Sequence, residues 1–206
     1  MNKRSHAYLT EKDPVLGALI ERIGPLRRTP RRLPPFQALV QSVIYQQLNG
    51  KAADTILGRF KALFPGGAFP SPQELQATDV EQLRSAGLSR PKATYVREIA
   101  AKTLDGLVPS LEECDTLTDA AIIERLTEIK GVGRWTVEMS LIFNLGRPDV
   151  LPAHDLGVRK GFQIAYRKRQ LPEPEQLDRF SQRWSPHRST AALYLWRAAD
   201  GEAEAV

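Results

Sequence analysis

The 206-residue chain contains one cysteine, Cys114. That scarcity excludes an internal disulfide, a cysteine-ligated iron–sulfur cluster and a cysteine-rich zinc site, and it accords with a reducing cytosol. Long apolar runs are also missing, since no window approaches the ~20 residues of a membrane-spanning helix. Residues 1–11 carry Lys3 and Arg4 with no apolar segment behind them, so they do not read as a secretion signal. A cytoplasmic location away from membranes is the expectation. Sustained apolar–polar alternation, the mark of a half-buried strand, is absent. No repeat or low-complexity tract breaks the chain.

What is present suits an ordinary globular protein, at 42% hydrophobic and 26% charged residues. Lys and Arg number 29 against 24 Asp and Glu, a net charge of +5, which favours a polyanionic partner without establishing one. Apolar residues recur at three- and four-residue spacing throughout, which predicts an all-α fold. A first helix starts at Asp13-Pro14, shows Val15, Leu16, Leu19, Ile20 and Ile23 on one face, and stops at Gly24-Pro25. Residues 27–35 then form a basic, proline-rich connector, with Arg27, Arg28, Arg31 and Arg32 among Pro30, Pro34 and Pro35; it should be extended. Two helices follow over 36–48 and 52–64 around Asn49-Gly50, with short ones near 73–77 and 79–85. Amphipathic helices are expected over 91–103 and 119–129, and an almost wholly apolar one over 133–144. The last three should cover 155–167, 173–184 and 188–199.

The segment Leu126-Thr127-Glu128-Ile129-Lys130-Gly131-Val132-Gly133-Arg134-Trp135-Thr136 carries the strongest chemical signal. Two glycines around one apolar residue let the backbone turn tightly between helices and approach a surface closely. The next helix would begin with amides suited to a phosphate. Twenty residues after Trp135 stands Asp155, in His154-Asp155-Leu156-Gly157-Val158-Arg159-Lys160. By spacing alone Asp155 could be a helix cap, a role worth about 1 kcal/mol. The hairpin upstream tips the reading toward a functional carboxylate.

Ile129-x-Gly131-Val132-Gly133-x-x-Thr136 with a downstream Asp155 resembles the helix-hairpin-helix DNA glycosylase superfamily. Gly133-Arg134-Trp135-Thr136, the 151–161 segment around Asp155, and Trp184-Ser185-Pro186-His187-Arg188-Ser189 leading into Leu195-Trp196 resemble its DNA-3-methyladenine glycosylase II branch. The resemblance covers most of the chain. It implies two helical lobes with a DNA-binding cleft between them, one of residues 36–147 containing the hairpin at 126–136, the other of 1–35 and 148–206 carrying Asp155. It also implies a monofunctional enzyme that flips alkylated bases such as 3-methyladenine and 7-methylguanine out of duplex DNA and hydrolyses the N-glycosidic bond, starting base excision repair. Asp155 would stabilise the positively charged sugar and orient or deprotonate the attacking water. Bifunctional members carry a Schiff-base lysine just after Gly133-Arg134; Trp135 stands there in this chain, so water is the expected nucleophile.

The remaining site residues follow from the same resemblance. Trp135 and Trp196 would line the base pocket, where an aromatic face attracts a cationic base; packing of the hairpin by Trp135, or of the last helix by Trp196, is the plainer reading of each. Met139 stands where some relatives have another aromatic, and Gln46 would lie near the lesion. Gln47 or Leu48 would plug the gap left by the flipped base. The amides of Gly131 and Gly133, the Thr136 hydroxyl and the charge of Arg134 would meet phosphates. A sodium or potassium ion on the carbonyls of Thr127, Ile129 and Val132 would bridge to phosphate, with no other cofactor required. Double-stranded DNA containing alkylated bases is the implied partner, and the protein is expected as a monomer. Two alternatives stand beside this: a non-catalytic helix-hairpin-helix damaged-DNA-binding protein, and a glycosylase for oxidised or deaminated bases. A pure binder would need the hairpin but not Asp155, Gln46 or Trp196.

Overall fold

Among the described residues, seven helix starts are set by a side chain at the N-cap. Asp13, Asn49, Ser71, Ser89, Ser110, Thr118 and Asp155 each accept the backbone N–H three residues on, satisfying one of the amides that a helix start leaves without a partner. Ser71 and Ser110 complete reciprocal capping boxes with Glu74 and Glu113. The computed structural model describes residues 3–26 and 29–202, without the side chains of residues 3 and 202. Arg27 and Arg28 of the basic connector lie outside the described residues, and 29–34 are non-helical.

Among the described residues there are thirteen α-helices and no strand, in keeping with the all-α expectation: α1 Lys3–Lys12, α2 Pro14–Ile23, α3 Pro35–Tyr45, α4 Gly50–Ala62, α5 Pro72–Ala77, α6 Val80–Ser85, α7 Arg90–Leu104, α8 Leu111–Thr116, α9 Asp119–Thr127, α10 Arg134–Met139, α11 Leu156–Ala165, α12 Pro174–Ser181 and α13 Arg188–Arg197. None of the described helices is long and apolar enough to cross a membrane.

The chain divides into two compact units, Arg32–Ser140 and Met1–Arg31 with Leu141–Val206. In the Arg32–Ser140 unit, α7 packs against α3, α5 and α6 through buried Ala93, Val96, Ile99 and Ala100. In the other unit, α11 packs on α13 and α1 on α2, around a core that includes Leu9, Leu16, Leu19, Phe162, Leu177, Trp184, Tyr194 and Leu195. A Cβ at Gly161 would fall 1.8 Å from the Leu195 carbonyl oxygen. There α11 and α13 touch main chain to main chain.

Four segments depart from the sequence reading. Helix formation begins at α1, ahead of Asp13; α1 is largely polar and contributes the buried Leu9. The six-residue α8 is likewise unanticipated, being a short turn held by its capping box. Helix α3 stops at Tyr45 instead of running to 48. The apolar helix expected over 133–144 changes form at Ser140, where α10 passes into the π-helical segment Ser140–Leu145.

Candidate active site and nucleic-acid interface

Asp155 is both a helix cap and the centre of a small polar–aromatic group. Its Oδ1 accepts the Val158 backbone N–H and the Trp196 indole N–H, each at 2.8 Å. Two donors on one oxygen fix the rotation of the carboxylate, and a charged acceptor roughly doubles the strength of such bonds. Gly157 makes this possible: a Cβ there would lie 2.8 Å from Trp196 Cδ1 and 3.1 Å from Asp155 Oδ1. The exposed Phe143 ring neighbours the indole, its centroid 5.7 Å away and tilted by 31°. Leu156, next to the carboxylate, is 66% exposed. Trp196 is half-buried and packs against the core of its unit, as the plainer reading of the last helix expects, and it serves the carboxylate directly through its N–H.

The strand of chain leading to Asp155 is pinned to the start of α13. Asp149 receives Arg188 Nε at 2.9 Å, Arg188 Nη2 at 3.0 Å, the Arg188 amide at 3.1 Å and the Ser185 hydroxyl at 2.8 Å. Burial acts to raise the pKa of Asp149, but these bonds outweigh it and hold the carboxyl below its ordinary value. The Ser189 hydroxyl donates to the Arg147 carbonyl at 2.7 Å and accepts the Val150 amide at 2.9 Å.

In the Arg32–Ser140 unit, the hairpin joins α9 to α10. Ile129 and Val132 are buried and anchor it, with the Val132 amide donating to the Ile129 carbonyl at 3.0 Å. Gly131 has φ 90°, a conformation that L side chains rarely adopt. An ideal Cβ on it would also strike the Tyr95 ring at 2.3 Å. Gly133, Arg134 and Trp135 face solvent. Trp135 is 48% exposed, so it is not a core residue. Thr136 departs from expectation: it is only 3% exposed, so its hydroxyl is a poor phosphate ligand and contact would fall to backbone and to Arg134. The Arg134 Nε donates to Glu138 Oε1 at 2.9 Å, and the buried Glu138 thereby orients it. Met139 is half-buried. The carbonyls of Thr127, Ile129 and Val132 are neutral oxygens of the kind that suits a hard cation. Among the described residues no group of three His, Cys, Asp or Glu side chains could hold a metal.

Gln46, Gln47 and Leu48 lie beyond the end of α3, in a tight turn. Leu48 donates its amide to the Tyr45 carbonyl at 3.2 Å, while Gln46 has φ −51°, ψ 132° and Gln47 φ 58°. These values fit a type II turn, whose third residue is ordinarily glycine. A glutamine there costs on the order of 1 kcal/mol. Gln47 and Leu48 are exposed. Gln46 turns toward the hairpin and donates from Nε2 to the Gly131 carbonyl at 3.4 Å. Lys92 donates to the Ile44 and Gln46 carbonyls at 2.8 and 2.7 Å, and burial pushes its pKa below the ordinary lysine value.

Phe143, Gly157, Lys92 and Glu138 were not singled out as site residues from sequence. Gly157 had a signal, standing two residues after Asp155. Phe143 and Glu138 lie at four-residue steps from Met139 and Arg134 on a helical path. Lys92 had none, because its partners are 46 and 48 residues away.

The chain is similar to known proteins over most of its length. DNA-3-methyladenine glycosylase 1 of Schizosaccharomyces pombe is 39% identical over 95% of this chain and 87% of its own length. A solved structure of the S. pombe 3-methyladenine DNA glycosylase in complex with abasic DNA superposes with a TM-score of 0.84 at 38% identity, covering 95% of this chain and 96% of that one. The DNA-3-methyladenine glycosidase structure from Bacillus halodurans gives a TM-score of 0.88 at 36% identity, covering 98% and 92%. The family model for helix-hairpin-helix (HhH-GPD) superfamily base excision DNA repair proteins matches residues 40–187, and this chain belongs to that superfamily.

Proposed function

We infer that this protein is a monofunctional DNA glycosylase that removes alkylated bases, 3-methyladenine and 7-methylguanine among them, from duplex DNA in the cytoplasm, acting as a monomer. The observation that carries the reading is the carboxylate of Asp155, fixed by the Val158 amide and the Trp196 indole beside the Trp196–Phe143 aromatic pair. In the reaction the bond between the sugar C1′ and the base nitrogen breaks, the electron pair leaves with the base, and positive charge develops on the sugar. A fixed carboxylate stabilises that charge. Water adds at C1′, and Asp155 accepts its proton, leaving an abasic site. A base made cationic by alkylation departs as a neutral molecule, so no acid is needed to protonate it and one carboxylate is sufficient.

The other residues divide the remaining work. Trp135 occupies the place at which bifunctional relatives carry lysine, so the strand is left intact. The exposed ring of Trp135 and the indole of Trp196 are proposed to receive the flipped base, and Met139 and Gln46 are proposed for the same base. Gln47 or Leu48 would enter the stack; their exposure in a strained turn supports this. The backbone of Gly131 and Gly133 and the guanidinium of Arg134 would hold phosphates, with a sodium or potassium ion on the hairpin carbonyls adding charge.

The test is base release from duplexes carrying 3-methyladenine or 7-methylguanine, without added metal, comparing the wild type with Asp155→Asn and then heating in alkali. Release by the wild type that collapses in the variant while DNA binding persists, with strand breaks only after alkali, supports the reading. Undiminished release by Asp155→Asn removes this residue from the mechanism. Tight binding without release by either protein leaves the non-catalytic binder or an enzyme for oxidised or deaminated bases.

A further inference from the structure

Helix α3 has no basic residue in its last turn, although the carbonyls exposed at a helix C-terminus favour a cation. That cation comes from elsewhere in the chain. Lys92, in the first turn of α7, places its ammonium against the carbonyls of Ile44 and Gln46. Three residues on along α7, on the same face, the Tyr95 ring fills the space that a side chain at Gly131 would need. The Gln46 side-chain amide closes the circuit by donating to the Gly131 carbonyl. The start of α7 thus bears on the turn at 46–48 through Lys92 and on the hairpin through Tyr95, and the two are bonded to each other. At the apex of this arrangement Gln47 keeps its left-handed backbone, which persists only where the surroundings enforce it.

On the basis of the glycosylase reading above, we propose that Lys92 is a positioning residue for base flipping: its ammonium holds the turn at 46–48 in the form that presents Gln47 and Leu48 to the base stack, in fixed register with the hairpin that grips the strand. Lys92 touches neither the lesion nor the sugar and acts through the turn alone. Its contribution is therefore largest where the base resists leaving the duplex and small where the pair is already weak.

The experiment compares single-turnover release of 7-methylguanine from two duplexes, identical except that the lesion faces its normal partner in one and a mismatch in the other. A 2-aminopurine beside the lesion reports unstacking by its fluorescence. Lys92→Met is expected to slow release about tenfold from the paired duplex and less than about threefold from the mismatched one, because a mismatched base is easier to extrude. The fluorescence rise should shrink in parallel. Lys92→Arg, which keeps a cation able to meet two carbonyls, should restore both signals. Combining Lys92→Met with Leu48→Ala should be no worse than the more severe single change, since residues acting as a unit are not additive. Equal losses on both duplexes, additive effects, or an unchanged fluorescence rise would overturn the proposal. Should Lys92→Met fail to fold, Gln46→Leu breaks the same circuit at the hairpin and must show the same dependence on pairing. If the wild type releases nothing from either duplex, the glycosylase reading falls, while the fluorescence arms still decide whether Lys92 governs opening.

Discussion

Asp13 and Asp155 occupy the same local position in their helices and do different work. Each caps a helix by accepting the amide three residues on, from Leu16 at 3.2 Å and from Val158 at 2.8 Å. Each also accepts a tryptophan indole N–H at 2.8 Å, from Trp184 and Trp196. Asp13 additionally accepts the Tyr166 hydroxyl at 2.6 Å and is 3% exposed. Burial, helped by the bond to Asp13, pushes the Tyr166 phenol well above its ordinary pKa, so it stays a donor. Asp155 has its cap and indole on one oxygen and sits half-exposed, beside a solvent-facing leucine and an aromatic pair. A capped carboxylate with an indole partner is thus a reusable piece of structure. Its surroundings differ, buried at Asp13 and half-exposed at Asp155, and that difference underlies the catalytic role proposed for the second.

Exchanging the outcomes of equivalent substitutions is the sharpest way to break this comparison. Asp155→Asn should lower base release by about 10³-fold, the scale of a lost acid–base or charge-stabilising group, with little change in melting temperature. Asp13→Ala should do the reverse, destabilising by about 3–5 kcal/mol through a lost cap and the lost acceptor of the buried Trp184 indole and the part-buried Tyr166 hydroxyl, with release per folded molecule unchanged. Denaturant unfolding together with single-turnover kinetics reads both; a matching loss of release in the two variants would erase the distinction. Among the partners, Trp196→Phe should slow release about 10- to 100-fold, the worth of a charge-assisted hydrogen bond, whereas Trp184→Phe should cost about 2–3 kcal/mol of stability and spare release. Gly157→Ala, which pushes on the Trp196 indole, should slow release by about tenfold if a bond of about 1.4 kcal/mol is lost, with less effect in a Trp196→Phe background. The smallest expected effect concerns the Asp149 anchor. Its pKa is lower folded than unfolded, so its stabilisation is complete above the unfolded value of about 3.9 and is lost as pH falls through the lower folded value. Asp149→Asn should flatten the dependence of stability on pH below about 4, measured by urea titration at stepped pH.

The elements visible in sequence are those with local causes. Asp13-Pro14 marks the start of α2 because cap and first-turn residue lie together, and Gly131 marks the hairpin because its positive φ favours glycine. Trp196 was legible as an aromatic of the site but not as a hydrogen-bond donor, since its acceptor is 41 residues away. The cap and the functional reading of Asp155 are rivals in sequence; the structure shows the cap, with the Trp196 indole on the same oxygen. The end of α3 was missed because no glycine or proline stops it; the lysine on its last carbonyls comes from α7. The burial of Thr136 is not legible for a related reason, because the motif shows which residues surround the hairpin but not which way each one faces.

The contact at Gly161 has a consequence for how such a protein can change. Where α11 meets α13 without an intervening side chain, the spacing between the carboxylate at the head of one helix and the indole near the end of the other is referred to two main chains, which have no rotamers to exchange. Turnover of leucines and aromatics in the surrounding core can then raise or lower the melting point while donor and acceptor stay in register. Sequence drift and reaction geometry are decoupled at that point, and a lineage can rebuild the interior around the pair without having to rediscover it.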